Sequence, residues 1–245
     1  MRNLSDSGFI LKSKPFQEND SLLFIFCQEQ GLKTFKASGV KNSKKGWKAN
    51  FLLFSEIKFE FIASFNLSKI IKIEKQKKFT LSNDFKVFNL ASFCSEVILK
   101  ILPENQKSIR IFSLLKETFS LLKAKDLINK KNLPFIFFIK LLSILGLCCD
   151  LSHCCSCHQK FIKDQNVFWK YHGEVLCQNC QKNFNNVQLL SFLQLKILNF
   201  WQKKDLSKSL LVSISSDDIK KFIILIDQEM KFFTHRPLHT LQFLS

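Results

Sequence analysis

Two Cys-x-x-Cys pairs, Cys154/Cys157 and Cys177/Cys180, are separated by nineteen residues in the second half of this 245-residue chain. Each pair sets two sulfurs on one tight turn. Two such turns facing each other present four thiolates at the corners of a tetrahedron, the geometry that Zn²⁺ accepts without redox chemistry. Four protein ligands leave no coordination position for a water or a substrate, so the expected role is structural: a zinc ribbon that holds the fold. Chance pairing competes with this reading in a chain of nine cysteines, where Cys148, Cys149 and Cys155 crowd the first pair. The expected ligands are Cys154, Cys157, Cys177 and Cys180, with His153, His158, His172 and Cys155 as alternatives for any one of them.

Other residues have the letters of catalysis without its spacing. His172-Gly173-Glu174 followed by Cys177-x-x-Cys180 contains the residue types of a zinc nucleobase deaminase. In that chemistry the His-x-Glu and the Cys pair come from different elements, and a proline precedes the first cysteine. Here two residues separate them and Leu176 takes the proline position. No GxxxxGK[ST] or GxGxxG phosphate loop occurs, and the chain has six glycines in all. Cys27 and Cys94 each sit in an apolar run and read as small core residues before they read as nucleophiles. A zinc-dependent or thiol enzyme, marked by a reactive thiol of lowered pKa, stays open at this point as the lesser reading.

The elements that must position these cysteines divide the chain by hydrophobic period. GFILKSK, LLFIFC, LKTFKAS, FLLFSEIKFEFIAS and KIIKIEK, between residues 8 and 79, are short runs separated by turn signals. They predict five strands of a small OB-like β-barrel over residues 1–80. From residue 83 apolar residues recur at three- and four-residue steps, predicting helices in NDFKVFNLASFCSEVILKIL, SIRIFSLLKETFSLLKAK, VQLLSFLQLKILNFW and DDIKKFIILIDQEMKFF, the last with Ser215 and Asp218 as a capping box. LPFIFFIKLLSILGL, residues 133 to 147, is apolar nearly all round. It is shorter than the roughly 20 residues a bilayer requires and carries Lys140 in its middle, so it predicts a buried helix opened by Asn132 and Pro134 and ended near Gly146. The fold class is therefore α+β, with the barrel followed over 81–245 by a helical bundle that contains the ribbon at about residues 150 to 182.

Thirty-seven basic residues against twenty acidic ones leave a net charge of +17, and the bias of Lys over Arg and of Phe over Tyr marks part of it as compositional drift. The remainder still attracts polyanions. Lys33, Lys36, Lys41, Lys44, Lys45 and Lys48 fall within sixteen residues that contain no acid. Small barrels bind single strands by a basic groove along the phosphates and rings on which bases stack, with Trp47 and Phe35 as candidate rings. A solvated loop in a lysine-rich chain is the bland alternative for the lysines, and a packed loop anchor for Trp47. The opening MRNLSDSGFILKSK has no signal-peptide core, and an odd number of cysteines with CxxC pairs suits a reducing cytoplasm. A zinc-ribbon nucleic-acid protein of transcription or translation fits these features too.

The order of basic barrel, helices and four-cysteine insert resembles the RecO family of bacterial recombination mediators. GFILKSKPFQENDSLLFIFCQEQGLKTFKASGVKNSKK is similar to the family's start, with its Glu-x-Asp turn (Glu18, Asp20), its Gly turn (Gly31) and its basic loop. LLSILGLCCDLSHCCSC and GEVLCQNC resemble its two zinc half-sites, and HRPLHTLQFLS its closing segment. The chain departs from the pattern at Gln17, where a Gly is usual, and in using Lys41, Lys44 and Lys45 where Arg is common. Some members lack the zinc cysteines, which agrees with a structural metal. The resemblance implies a non-enzymatic, nucleoid-associated protein of DNA repair and recombination in the RecF pathway. It would bind single- and double-stranded DNA, anneal complementary strands, engage RecR and the single-strand-binding protein, and help RecA load at gaps, with no membrane involvement.

Overall fold

A computed structural model describes residues 3–39, 51–79, 84–124, 128–163 and 165–244, in two compact units, Met1–Phe119 and Ser120–Ser245. In the first unit, β1 (Asn3–Phe16), β2 (Asp20–Cys27), β3 (Gly31–Ala37), β4 (Glu56–Ile62) and β5 (Ser68–Lys77) close into a barrel of order β1-β2-β3-β5-β4. All pairs are antiparallel except β3 with β5. Closure removes the free edges that a five-stranded sheet would otherwise expose.

Period-2 alternation sends Ile10, Leu23, Ile25, Phe35, Ile57, Phe59, Phe61 and Ile70 into the barrel core. Phe35 is fully buried, with its ring centroid 5.1 Å from those of both Phe59 and Phe61 in edge-on contacts. This corrects its reading as a base-stacking ring: position 35 shares the parity of the inward residues, and no base reaches it.

Two strand limits also differ from expectation. β1 starts at Asn3, five residues before its apolar run, because Asn3–Phe9 pair with β4 while Gly8–Phe16 pair with β2, the register shifting between Ile10 and Lys12. The polar string Ser5-Asp6-Ser7 masks that first half. Asp6 is buried and accepts the backbone N–H groups of Glu29 (3.2 Å) and Gln30 (3.0 Å), stitching β1 to the β2–β3 turn. Residues 51–55, expected to open β4, form a turn instead. Phe54 has a left-handed φ of 64°, its N–H donates to the Ile10 carbonyl (2.7 Å), and its buried ring fills the space beside Phe79 and Phe119.

Helix α1 (Phe85–Ile101) is capped by Asp84, whose carboxylate accepts the Lys86 N–H at 2.9 Å. Helix α2 (Ile109–Lys123) lays Phe112 and Phe119 against Phe9 of β1, at 5.2 and 5.5 Å between ring centroids.

In the second unit, helix α3 (Leu133–Leu145) has Pro134 in its first turn and Gly146 as a left-handed C-cap, and its residues Leu133–Ile139, Leu141 and Leu142 are buried. Among the described residues no helix is long and apolar enough to cross a membrane. Strands β6 (Val167–Lys170), β7 (Glu174–Cys177) and β8 (Gln188–Leu190) form a small sheet of order β7-β6-β8, with the short helix α4 (Gln178–Gln181) after β7. Helices α5 (Phe192–Lys203), α6 (Leu206–Ser209) and α7 (Ser216–Thr234) complete the unit. The segment VQLLSFLQLKILNFW, expected as one helix, is split. Gln188–Leu190 pair with β6, and α5 starts only after Ser191, which forms a capping box with Gln194 (3.1 and 3.0 Å). The Ser215/Asp218 capping box is present at the head of α7. A barrel followed by helices that carry a four-cysteine insert is the α+β architecture the sequence implies.

Candidate metal centre and nucleic-acid interface

Cys154 and Cys157 sit on a turn closed by the His158 N–H to the Cys154 carbonyl (2.9 Å), while Cys177 ends β7 and Cys180 lies in α4. The fold brings the four sulfurs within 4.8 Å of one another. A tetrahedral Zn²⁺ with Zn–S bonds of about 2.3 Å requires S···S edges of about 3.8 Å; the Cys157 and Cys177 sulfurs stand 3.8 Å apart. The set therefore fits a metal ion by donor chemistry and by size. Burial resists ionisation of Cys154, but the backbone N–H groups of Cys157, Cys177 and Ser156 directed at its sulfur outweigh it and bring the thiol down to about 7. The Cys177 contact is 3.4 Å. Amide donors around a sulfur are a common support for thiolate ligands.

None of the alternative ligands joins this cluster among the described residues. His153 is exposed and 3.5 Å from Asp150. His158 occupies a left-handed conformation (φ 58°), as does His172 (φ 65°), whose ring is edge-on to Phe232 at 4.3 Å. Cys155 instead receives the Val175 N–H at 3.3 Å. Cys27 and Cys94 are fully buried in apolar surroundings, where burial pushes both thiols up.

The sequence reading missed what fastens the small sheet. Glu229 on α7 is fully buried, and one carboxylate oxygen accepts both the Trp169 indole N–H (2.7 Å) and the Gly173 backbone N–H (3.2 Å). Burial raises the Glu229 carboxyl above its ordinary value despite these donors. Gly173 has a left-handed φ of 60°, and a Cβ there would come within 2.7 Å of the Cys148 Cα. The signal was present: Phe222, Leu225, Ile226, Glu229 and Met230 make one buried helical stripe, and an acid inside such a stripe requires a donor.

On the barrel, the outward residues of β1, β2 and β3 form a second candidate site. Register places Lys12 opposite Phe24, Lys14 opposite Leu22, and Leu22 in turn opposite Lys36. The Lys14 ammonium stands 5.7 Å from the Phe24 ring centroid and that of Lys36 5.4 Å from Phe16. Phe16 and Phe24 are half-buried, while Lys12 and Lys14 are exposed and enter no ion pair among the described residues. Strand alternation in LLFIFC is the sequence signal that places Phe24 on this face. Elsewhere on the barrel Lys58, Lys72 and Lys77 pair with Glu74, Glu60 and Glu56, while Lys69 and Lys75 of β5 are exposed as well.

Of the basic residues singled out in the sequence, Lys36 pairs with Asp20 at 2.8 Å and donates to the Gln17 side chain at 3.1 Å. Asp20 also accepts the Gly39 N–H (2.9 Å), and the Lys36 hydrogen bond holds its carboxyl below the usual range. Gln17 has φ 52°, which accounts for the Gly usual at that place in the resembling family. Lys33 lies on the inward parity, its ammonium 5.8 Å from the Phe61 centroid. Lys41, Lys44, Lys45, Trp47 and Lys48 lie outside the described residues.

Comparison with known proteins gives the family. The family model described as recombination protein O N terminal matches residues 1–91, and that described as recombination protein O C terminal matches residues 82–241. Among curated proteins the chain is similar to the DNA repair protein RecO of Thermoanaerobacter sp., 28% identical over 91% of this chain and 90% of that one. It is also similar to those of Caldanaerobacter subterraneus (26%, covering 87% and 86%) and Clostridium novyi (27%, covering 86% and 81%). With both of its parts matched, the chain belongs to the RecO family of DNA repair proteins.

Proposed function

We propose that the chain is a recombination mediator. It binds single- and double-stranded DNA through the barrel, anneals complementary strands, and with RecR helps load RecA at gaps coated by the single-strand-binding protein, in the cytoplasm where the nucleoid lies. The observation that carries this reading is the outward face of β1–β3, where Lys12 and Lys14, which enter no ion pair among the described residues, lie beside the half-buried Phe16 and Phe24 and precede Lys41, Lys44, Lys45 and Lys48 in sequence. Ammonium groups neutralise phosphates, rings accept bases, and two strands held on one basic surface repel each other less. No bond is made or broken, and the protein is not an enzyme. One Zn²⁺ bound by Cys154, Cys157, Cys177 and Cys180 supplies cross-linking alone. The four cysteines would hold it between the turn after Leu151 and the end of β7, and Glu229 fastens the same hairpin to α7 through Gly173.

Fluorescence-anisotropy titration of labelled oligo-dT at several salt concentrations tests the DNA reading. On a single strand log K falls with log salt by about 0.7 per phosphate neutralised, so Lys12→Ala/Lys14→Ala flattens the slope by about 1.4 and Lys41→Ala/Lys44→Ala/Lys45→Ala by about 2. Phe24→Ala and Trp47→Ala leave the slope in place and weaken binding at every salt concentration, by about 1 to 3 kcal/mol where a base stacks. An unchanged slope in both lysine variants moves the DNA site off this part of the barrel.

A further inference from the structure

Phe65, in the turn between β4 and β5, is the most exposed large apolar side chain among the described residues, its ring standing fully in solvent. Two other exposed phenylalanines lean on a neighbouring ring: Phe85 stacks on Phe88 and Phe232 on Tyr171. Phe65 makes no ring contact among the described residues. Strand register puts its turn at the end of a row of outward residues. Lys14 of β1 faces Leu22 of β2, Leu22 faces Lys36 of β3, Lys36 lies beside Lys69 of the parallel β5, and Lys69 faces Ile62 of β4. From Lys14 to Lys69 the row covers three strand spacings, about 14 Å. Lys69 is exposed and enters no ion pair among the described residues. No acid occurs in sequence between Glu60 and Glu74, and the acid next to this row in register, Asp20 opposite Phe16, is already engaged by Lys36 at 2.8 Å.

We propose that Phe65 stacks on a base of single-stranded DNA while Lys69 contacts an adjoining phosphate, so that the β4–β5 turn distinguishes a single strand from a duplex. This rests on the reading of the barrel as the DNA-binding surface, and it extends that surface from β1–β3 across β5. A flat ring beside an unpaired ammonium group matches a nucleotide, which offers a π-face and a negative charge together. A protein partner that covered Phe65 would have to bury the exposed Ser64, Asn66 and Lys69 with it, and would find little apolar surface there in return. The selectivity follows from the geometry of stacking. In a duplex the faces of each base are covered by its neighbours, whereas a single strand leaves faces for a side-chain ring to meet. Phosphates are present in both, so Lys69 serves both and Phe65 serves one.

The test uses the full, zinc-loaded chain with labelled oligo-dT at several salt concentrations, beside a blunt duplex of equal length. Phe65→Ala is expected to weaken oligo-dT binding by roughly 5- to 150-fold at every salt concentration, the equivalent of about 1 to 3 kcal/mol for one stacked base, and to leave duplex affinity in place. Lys69→Ala flattens the slope of log K against log salt on oligo-dT by about 0.7. A second readout is independent of affinity. Phe65→Trp, made in a Trp47→Phe background that leaves only the buried Trp169 and Trp201 as other emitters, is expected to lose emission when oligo-dT saturates it, whereas Trp47→Phe alone does not. The outcomes separate the two readings. Wild type that binds neither oligo-dT nor duplex ends the DNA reading and this one with it. Wild type that binds, with the slope flattened in Lys12→Ala/Lys14→Ala, while Phe65→Ala binds oligo-dT as wild type does or the Phe65→Trp emission stays constant, overturns the assignment of Phe65 alone. So does an equal loss on duplex, or a fall in the molecular mass of Phe65→Ala in analytical ultracentrifugation, which makes the ring a contact between copies of the chain.

Discussion

Replacing Glu229 separates two contributions of one buried carboxyl. Glu229→Ala leaves the Trp169 indole N–H and the Gly173 N–H buried without an acceptor. Each orphaned donor costs about 1 to 3 kcal/mol, or about 2 to 6 kcal/mol for the pair. Against this, burial has raised the carboxyl above its ordinary value of 4.5, so at neutral pH the wild-type protein holds either a buried charge or a proton it would release on unfolding. The folded acid binds its proton more tightly than the unfolded one. Its contribution is therefore complete below about pH 4.5 and is lost as pH rises through the raised native value, by about 1.4 kcal/mol for each unit of elevation. Glu229→Gln retains an acceptor oxygen for both donors but does not titrate. Relative to it, the wild type is most stable in acid and loses ground towards pH 7.5, while thiol ionisation and metal binding act on both proteins alike. Urea titrations in a Trp47→Phe background, followed by the emission of Trp169 and Trp201, report the second unit alone. Parallel stability curves for wild type and Glu229→Gln between pH 4.5 and 7.5 would refute the reasoning, as would an alanine variant as stable as wild type in acid.

The metal reading predicts about one equivalent of zinc in protein purified without chelator, and loss of most of it in Cys177→Ser/Cys180→Ser, measured by elemental analysis. Gly173→Ala should destabilise the small sheet by at least about 1 to 2 kcal/mol, from the left-handed conformation alone, with a further cost for the 2.7 Å approach to Cys148, read by the same tryptophan emission. Asp6→Ala frees the Glu29 and Gln30 N–H groups and should lower the stability of the barrel by about 1 to 3 kcal/mol in thermal melts followed by circular dichroism.

Much of this molecule was legible in the sequence because its strongest signals are local. Cys-x-x-Cys spacing specifies a turn by itself, alternation in Phe59 and Phe61 specifies a face, and Pro134 with Gly146 specifies both ends of a helix that is apolar throughout. What escaped depends on partners distant in the chain. The first half of β1 is polar and becomes a strand only because β4 lies beside it. Gln188–Leu190 follow a helical period yet pair with β6, so tertiary hydrogen bonding overrides the pattern and Ser191 starts the helix after it. Phe35 fitted a stacking role by type and by basic company, and only strand parity puts it inside. For Glu229 the buried stripe says only that a donor is needed, not which one. Its role follows from Trp169 and Gly173, which lie 60 and 56 residues away in sequence.

Strand annealing tests the central claim most directly. Two complementary oligonucleotides, each coated with single-strand-binding protein and labelled as a fluorescence-transfer pair, are mixed with the zinc-loaded chain in the absence of any nucleotide cofactor. The account predicts rapid annealing that slows as salt rises and is lost in a variant with Lys12, Lys14, Lys41, Lys44 and Lys45 all changed to Ala, although that variant keeps its full zinc content. Annealing no faster than that of the coated strands alone, at protein concentrations that saturate the DNA, would contradict it.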